Sequence, residues 1–283
     1  MNLSSGDPAQ VILSSQGTVV TPELLEKTRD EMGLNQPFII QYLNWLSDVI
    51  HGDFGISYSS GRSVLEEFKE HLPYTITLAG SAMALTLIIS IPLGILSAIK
   101  KDTFTDYIIR GFTFIGNSIP GFLLALVLLL IFSLKLKILP ILSESGMKSI
   151  ILPSITLAVA MISKYIRQIR AAVIEELQKG YVKGARSRGI RESIILYKDV
   201  LKNIMITVIT LTGLSMGSLM GGTAVVESIF VWPGIGNLVL SAISNRDYPI
   251  IQAYVLWMAV IFIMINLITD LLYRIVDPRV REV

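Results

Sequence analysis

The 283-residue sequence contains no cysteine. This removes disulfides, thiolate metal sites and cysteine nucleophiles, and with them any inference about redox compartment. Histidine is almost as scarce: His51 and His71 are the only two, with no HExxH-type spacing, so ordinary polar surface positions are the favoured reading and no metal ligand set is assigned. A GxxxxGK[ST] phosphate loop is missing too. The chain therefore does not bind and hydrolyse ATP by the P-loop route, and it offers no catalytic residue. Charge is sparse, at 16% of residues and a net +2, which gives no overall basic field for nucleic acid.

Apolar residues fill the space that charge leaves. At 52% hydrophobic and mean hydropathy +0.63, the chain falls outside the range of soluble domains and reads as an all-α integral membrane protein. Five apolar segments lie near residues 74–99, 108–134, 150–163, 204–226 and 250–273. A span needs roughly 20 residues to cross a hydrocarbon core of about 30 Å. Four segments meet that length; the third is ambiguous, because Lys164 interrupts it early.

Charge placement resolves the ambiguity. The segment from Lys164 to Lys202 holds ten basic residues: Lys164, Arg167, Arg170, Lys179, Lys183, Arg186, Arg188, Arg191, Lys198 and Lys202. The positive-inside rule places it in the cytoplasm, with the Lys100-Lys101 turn and the C-terminal tail carrying Arg274, Arg279 and Arg281. If the second segment runs outward from that turn, the third must cross back. Five spans follow, with Lys164 and Arg167 snorkelling from the inner end of the third. A plasma-membrane location in a bacterium or archaeon is expected, with lipid around the spans.

Residues 1–73 are polar and acidic: Lys27, Arg29, Arg62 and Lys69 stand against ten Asp or Glu. They are expected outside the membrane, and residues 74–283 form the transmembrane permease domain. Thr21-Pro22-Glu23 reads as a helix start with Gly33 as its stop, and Phe38 to Ile50 as an amphipathic helix too short to span. No apolar helix precedes this segment to carry it across. A first span before Met1-Asn2-Leu3 is therefore expected, making six in the intact protein, with the present start reflecting truncation or a downstream start codon.

The segment Glu175 to Asn203, EELQKGYVKGARSRGIRESIILYKDVLKN, is more than a solvated basic loop. Gly180, Gly184, Ala185 and Gly189 are small residues of the kind that let a partner approach the backbone closely. Attraction to anionic lipid is the bland alternative. Tyr181-Val182-Lys183-Gly184-Ala185-Arg186-Ser187-Arg188-Gly189 resembles the cytoplasmic coupling loop of binding-protein-dependent permeases. It departs from the general pattern in carrying Lys183 where many families have Glu and Gly184 where they have Ala. The resemblance extends along the chain through Gly6-Asp7-Pro8-Ala9, Gly33-Leu34-Asn35-Gln36-Pro37, Gly52-Asp53-Phe54-Gly55-Ile56-Ser57, Gly221-Gly222-Thr223, Glu227-Ser228-Ile229-Phe230, Trp232-Pro233-Gly234, Asn245-Arg246-Asp247-Tyr248-Pro249 and Asp277-Pro278-Arg279. In that order these segments resemble a permease subunit of the peptide/nickel family of ABC importers, most like the first nickel permease.

The resemblance implies a type I permease fold and a pore completed by a second, similar permease. Two ATPase subunits holding ATP and Mg would drive it, and an extracytoplasmic solute-binding protein would deliver the solute. Tyr181, Lys183, Gly184, Ala185, Arg186 and Gly189 would form the ATPase-coupling helix, and the chain itself would need no cofactor and do no chemistry. Polar residues within the spans, Asn117, Ser118, Ser215, Ser218 and Asn266, point to the substrate path, with Pro120 able to kink the second span. Met216 and Met220 share a helix face and could offer thioethers to a metal, although packing is the commoner role. Glu227 at the outer mouth either meets a cation or caps its helix, and Asp270 with Arg274 at i+4 reads as an ion pair. Nickel or a related metal, free or chelated, is the first reading of the solute and short peptides the second. An ATP-independent channel or secondary transporter remains a different class of answer, opposed by the docking-like loop and the lack of inverted repeats.

Overall fold

A computed structural model describes residues 7–15, 19–140 and 148–276. The Met1-Asn2-Leu3 start, most of the loop after Pro140 and the Asp277-Pro278-Arg279 tail lie outside the described residues. The described chain is helical, apart from one isolated bridge between Ile56 and Ser63. Short helices come first: α1 (Pro8–Ser15), α2 (Pro22–Glu31) and α3 (Phe38–Ile50). Thr21 caps α2 by accepting from the Leu24 amide at 3.3 Å, Pro22 occupies its first turn, and Gly33 turns the chain away at φ +66°. These are the boundaries the sequence predicts.

The long helices follow: α4 (Val64–Ile99), α5 (Phe104–Ser118), α6 (Gly121–Leu128) running on as π-helical turns to Lys135, and α7 (Ile151–Leu177). After them come α8 (Gly180–Ser187), α9 (Glu192–Ile194) with π-helical turns Ile195–Val200, α10 (Leu201–Gly222), α11 (Ala224–Ile229), α12 (Ile235–Ser244) and α13 (Tyr248–Val276). Helix α4 begins ten residues before the apolar stretch and passes straight through Pro73, so the 73/74 boundary read from polarity falls inside one helix. Its first turns carry Glu66 and Glu67, where the helix dipole favours acids.

Among the described residues, three helical stretches are long and apolar enough to cross a membrane: Val64–Ile99, Glu192–Gly221 and Tyr248–Ile275. The pair Phe104–Ser118 and Gly121–Lys135 qualifies only together, and it is bent by 100°. Pro120 stands at the bend, lacking the N–H that would continue the helix. Helix α7 is not among the qualifying stretches, yet its 27 residues extend about 40 Å at 1.5 Å per residue.

Packing fixes the directions. Ser81 and Ser154 hydroxyls meet at 2.6 Å, and a Cβ placed on Gly94 would lie 2.7 Å from Ile169, so α4 and α7 run parallel. Helix α5 opposes α7: Asp106 at its start is bound to Arg170, and Gly116 near its end lies against Val159 and Ser163. Helix α6 continues in the same sense, with Ala125 packed in one cluster with Leu152. The broken pair thus travels most of the length of α7 despite its bend. Helices α10 and α13 are antiparallel, with Tyr273 donating to Thr210 at 2.6 Å, Gly213 facing Thr269 and Gly217 facing Phe262. Gly213 and Gly217 admit those side chains because they have no Cβ. One end of the bundle therefore gathers α1–α3, α11 and α12, and the other gathers the α4–α5 turn and α8.

The core runs between α4, α7 and α10, around Ala79, Met83, Tyr165, Ile169, Val208 and Leu211. Outward, α5, α6 and α13 expose large apolar side chains, among them Phe112, Phe122, Leu126, Ile263 and Leu267. In water such a surface would be untenable, and in a bilayer it is the expected one.

Candidate coupling and translocation sites

Helix α8 is held at the basic end by one face. Val182 and Ala185, three residues apart, are buried in the apolar cluster that includes Val173, Ile195, Leu196 and Val200. Gly189 closes the helix at φ +73°, letting the Ile190 amide reach back to the Ala185 carbonyl at 3.2 Å. Ala185 and Gly189 therefore serve the fold of the segment. Gly180 and Gly184 do not: a Cβ at either would meet nothing within 4 Å, so no packing inside the chain requires glycine there. Lys183 and Arg186 point outward, with Arg186 paired to exposed Glu192 at 2.6 Å. Exposed Ile194 and Tyr197 extend the surface beside α8.

Tyr181 links α8 to the helices above it. Its hydroxyl donates to Glu176 at 2.9 Å, and the Asn203 amide nitrogen, at the start of α10, donates to the same carboxylate oxygen at 2.7 Å. Lys179 pairs with the other oxygen. Burial raises the Tyr181 hydroxyl, the Asn203 contact works the other way, and the charges of Glu176 and Asp199 bring it up to about 12. Burial alone would raise Glu176, but the three donors outweigh it and hold this carboxyl below the ordinary glutamate range. The sequence gives no signal that distinguishes this acid from its neighbour Glu175, because Tyr181 and Asn203 meet it only in three dimensions.

A second polar junction fastens the α4–α5 turn. Asp106, fully buried, takes a bidentate grip from Arg170 at 2.8 and 2.7 Å and accepts from the Ser97 hydroxyl and the Asp102 amide. Arg170 thus belongs to the fold of the bundle as well as to the basic count. Lys164 and Arg167 remain exposed. Asp270 and Arg274, expected to pair, are both exposed and form no ion pair; where such side chains reach water, the attraction is small enough for the rotamer cost of fixing them to offset it.

The path candidates do not converge on one lining. Asn117 and Ser118 are exposed on α5 just before the bend, with the Ser118 hydroxyl donating to its own helix at Phe114. Ser215 is buried beside Tyr165, Met220 is buried and Met216 half-buried in the central core near Met83 and Met205. Ser218 is exposed and Asn266 half-buried. Glu227 is completely buried at the opposite end from α8. It accepts from the hydroxyls of Thr75 at 2.8 Å and Thr223 at 3.0 Å, and from the Asn237 amide in the first turn of α12 at 3.0 Å. Thr75 in turn accepts from the Ile235 amide at 2.8 Å, and the Trp232 indole donates to the Tyr74 carbonyl at 3.0 Å. This carboxylate clamps the Trp232-Pro233-Gly234 turn onto α4.

Asp247 plays a similar part nearby, accepting from the Ser57 hydroxyl and from the Tyr58 and Ser59 amides at 3.2 and 3.1 Å. Burial, aided by the Asp247 charge, pushes the Tyr58 hydroxyl up to about 12. At the same end a cavity of about 660 Å³ opens between the α2–α3 turn, α3 and α13, lined by Leu34, Phe38, Tyr42, Trp45, Val255 and Leu256 among others. His51 and His71 bond to carbonyls one turn back, at Ser47 and Glu67. Among the described residues no group of three or more His, Asp or Glu could hold a metal ion.

Residues 90–282 match the model of the binding-protein-dependent transport system inner membrane component, and residues 3–79 match its N-terminal companion. The chain is 39% identical to the metal-staphylopine import system permease protein of Staphylococcus aureus, over 99% of this chain and 90% of that protein. It is 35% identical to the glutathione transport system permease protein of Escherichia coli, over 99% and 91%. A probable peptide ABC transporter permease of Sinorhizobium fredii is 34% identical, again over 99% and 91%. In fold it is similar to a chain of the MetNI methionine ABC transporter in an inward-facing form, with TM-score 0.64 and 14% identity, covering 74% of this chain and 96% of that one.

Proposed function

The chain belongs to the family of binding-protein-dependent transport system inner membrane components, and from that premise we propose that it forms half of the pathway by which an ABC importer takes up a metal as a small chelate. As a multi-pass membrane permease subunit of such an importer it carries solute and performs no catalysis. A second permease completes the pathway in this reading. Two ATPases with ATP and Mg drive it, and a solute-binding protein docks at the α1–α3 end. The 39% relative named for metal-staphylopine supports the chelate. The glutathione and peptide relatives, at 35% and 34% over the same share of the chain, favour short peptides as the second reading.

Five crossings are supported by the parallel run of α4 and α7, since a helix pair in register at Ser81–Ser154 and Gly94–Ile169 needs one return between them. The broken α5–α6 pair, tracking α7 from Arg170 to Leu152, supplies that return. The basic end, and the C-terminus with it, is then cytoplasmic.

The observation that carries the ATP-driven mechanism is the exposed backbone at Gly180 and Gly184 on a helix whose other face is buried. Glycine confers no packing advantage there unless another protein comes close. The test is uptake of radioactive nickel, with and without a carboxylate chelator or competing dipeptides, in cells carrying the complete importer with either the wild-type chain or Gly184→Trp. Chelate-dependent uptake lost in an assembled Gly184→Trp complex is expected. Uptake of dipeptide without metal would move the solute to the second reading, and undiminished transport by assembled Gly184→Trp would overturn the ATPase-docking role of α8.

A further inference from the structure

We propose that Glu176 is a positioning residue that ties the coupling helix to α7 and α10 together, so that a displacement of α8 reaches both long helices at once. The inference rests on the reading of α8 as the ATPase contact. Glu176 lies one residue before the end of α7, where the exposed carbonyls make the helix terminus negative and a carboxylate unfavourable. It is also buried, with its side chain 9% accessible. A charge in such a place is costly unless donors match it. Three do: Tyr181 from α8, Asn203 from α10 and Lys179 from the intervening linker. Asn203 also reaches the Tyr181 oxygen at 3.2 Å, closing a triangle across the three helices.

The remaining attachments of α8 are of a different kind. Val182 and Ala185 contribute apolar contact, which is non-directional and tolerates sliding. Arg186 and Ser187 bond within the α8–α9 segment and within α8 itself. Among the hydrogen bonds of the described residues, the side-chain bonds that join α8 to α7 and α10 therefore all pass through the Glu176, Tyr181 and Asn203 triangle. Directional, charge-assisted bonds resist both rotation and translation. The two-residue linker Gln178-Lys179, followed by the uncrowded Gly180 that opens α8, would otherwise let α8 swing relative to α7.

The experiment measures solute imported per ATP hydrolysed in the complete importer reconstituted in vesicles, for Glu176→Gln, Asn203→Ala and the double variant. Glu176→Gln keeps an acceptor oxygen but loses the charge; Asn203→Ala removes the α10 arm and leaves α8 in place. The ratio is expected to fall about tenfold in each, the loss of roughly one charge-assisted hydrogen bond. The double variant should be no worse than the poorer single one, because both break the same junction. Co-purification of the ATPases, with thermal stability compared across the variants, separates lost coupling from lost assembly. An unchanged ratio, or losses that multiply in the double variant, would overturn the proposal. Failure of the underlying reading looks different: the wild-type importer would then transport without ATP, or Gly184→Trp would transport normally.

Discussion

A methyl group placed on Gly234 would land 2.5 Å from the Glu227 carboxyl carbon and the Thr75 hydroxyl, and one on Gly236 would strike the Ala224 backbone. Together these close approaches show why the turn after α11 carries glycine on both sides of Ile235. In the sequence Glu227 is either a cation contact or a cap, and nothing in the one-dimensional pattern separates the two, since both want an acid at the mouth of a span. Its complete burial among Thr75, Thr223 and the Asn237 amide gives it partners within the fold. Glu227→Gln, which turns one acceptor into a donor facing donors, is expected to cost about 2 kcal/mol of stability. Gly234→Ala should cost more than that and lower the yield of folded protein. Thermal unfolding in detergent checks both, and a Glu227→Gln protein as stable as wild type but altered in solute selectivity would return the residue to the pathway.

Among the elements, the two short helices α2 and α3 are fully legible because their signals are local: a Thr cap, a Pro in the first turn, a Gly stop and an apolar stripe of 13 residues. Helix α8 was legible in part. Its small residues announce a special segment, but only the structure divides Ala185 and Gly189, needed to pack and end the helix, from Gly180 and Gly184, which no internal contact uses. The α5–α6 pair shows the converse. Pro120 forecasts a kink, yet the size of the bend depends on how both pieces pack against α7, a tertiary fact. That packing is open to direct trial, because the absence of native cysteine provides a clean background. Ser81→Cys with Ser154→Cys is expected to cross-link under mild oxidation, whereas Ser81→Cys with Arg170→Cys should not. Efficient cross-linking of the second pair in place of the first would contradict the parallel arrangement of α4 and α7.

At the scale of the whole molecule, charge and packing agree on two different ends. Eight of the ten basic residues between Lys164 and Lys202, from Arg170 onward, collect at the end that holds α8, with Lys164 and Arg167 further along α7, while the described part of the acidic first segment lies at the end that holds α12. Single cysteines make this measurable in intact cells: Lys183→Cys is expected to react with a membrane-impermeant maleimide only after the cells are opened, and Ser60→Cys before it. The reverse labelling would invert the topology and remove the proposed ATPase contact from the cytoplasm.

Composition alone determined that this protein lives in a bilayer, because hydropathy and the length of the apolar stretches are properties that no fold can change. The order of its motifs determined the family. Tertiary structure decided which of the marked residues hold the protein together and which remain available to a partner. Met220, Ser215 and Glu227 are buried, Asn117, Ser118 and Gly184 exposed, and Glu176 joins three helices. The reason is geometric: a residue's polarity and spacing restrict the face of a helix it occupies, but what stands opposite that face is set by helices far away in the chain.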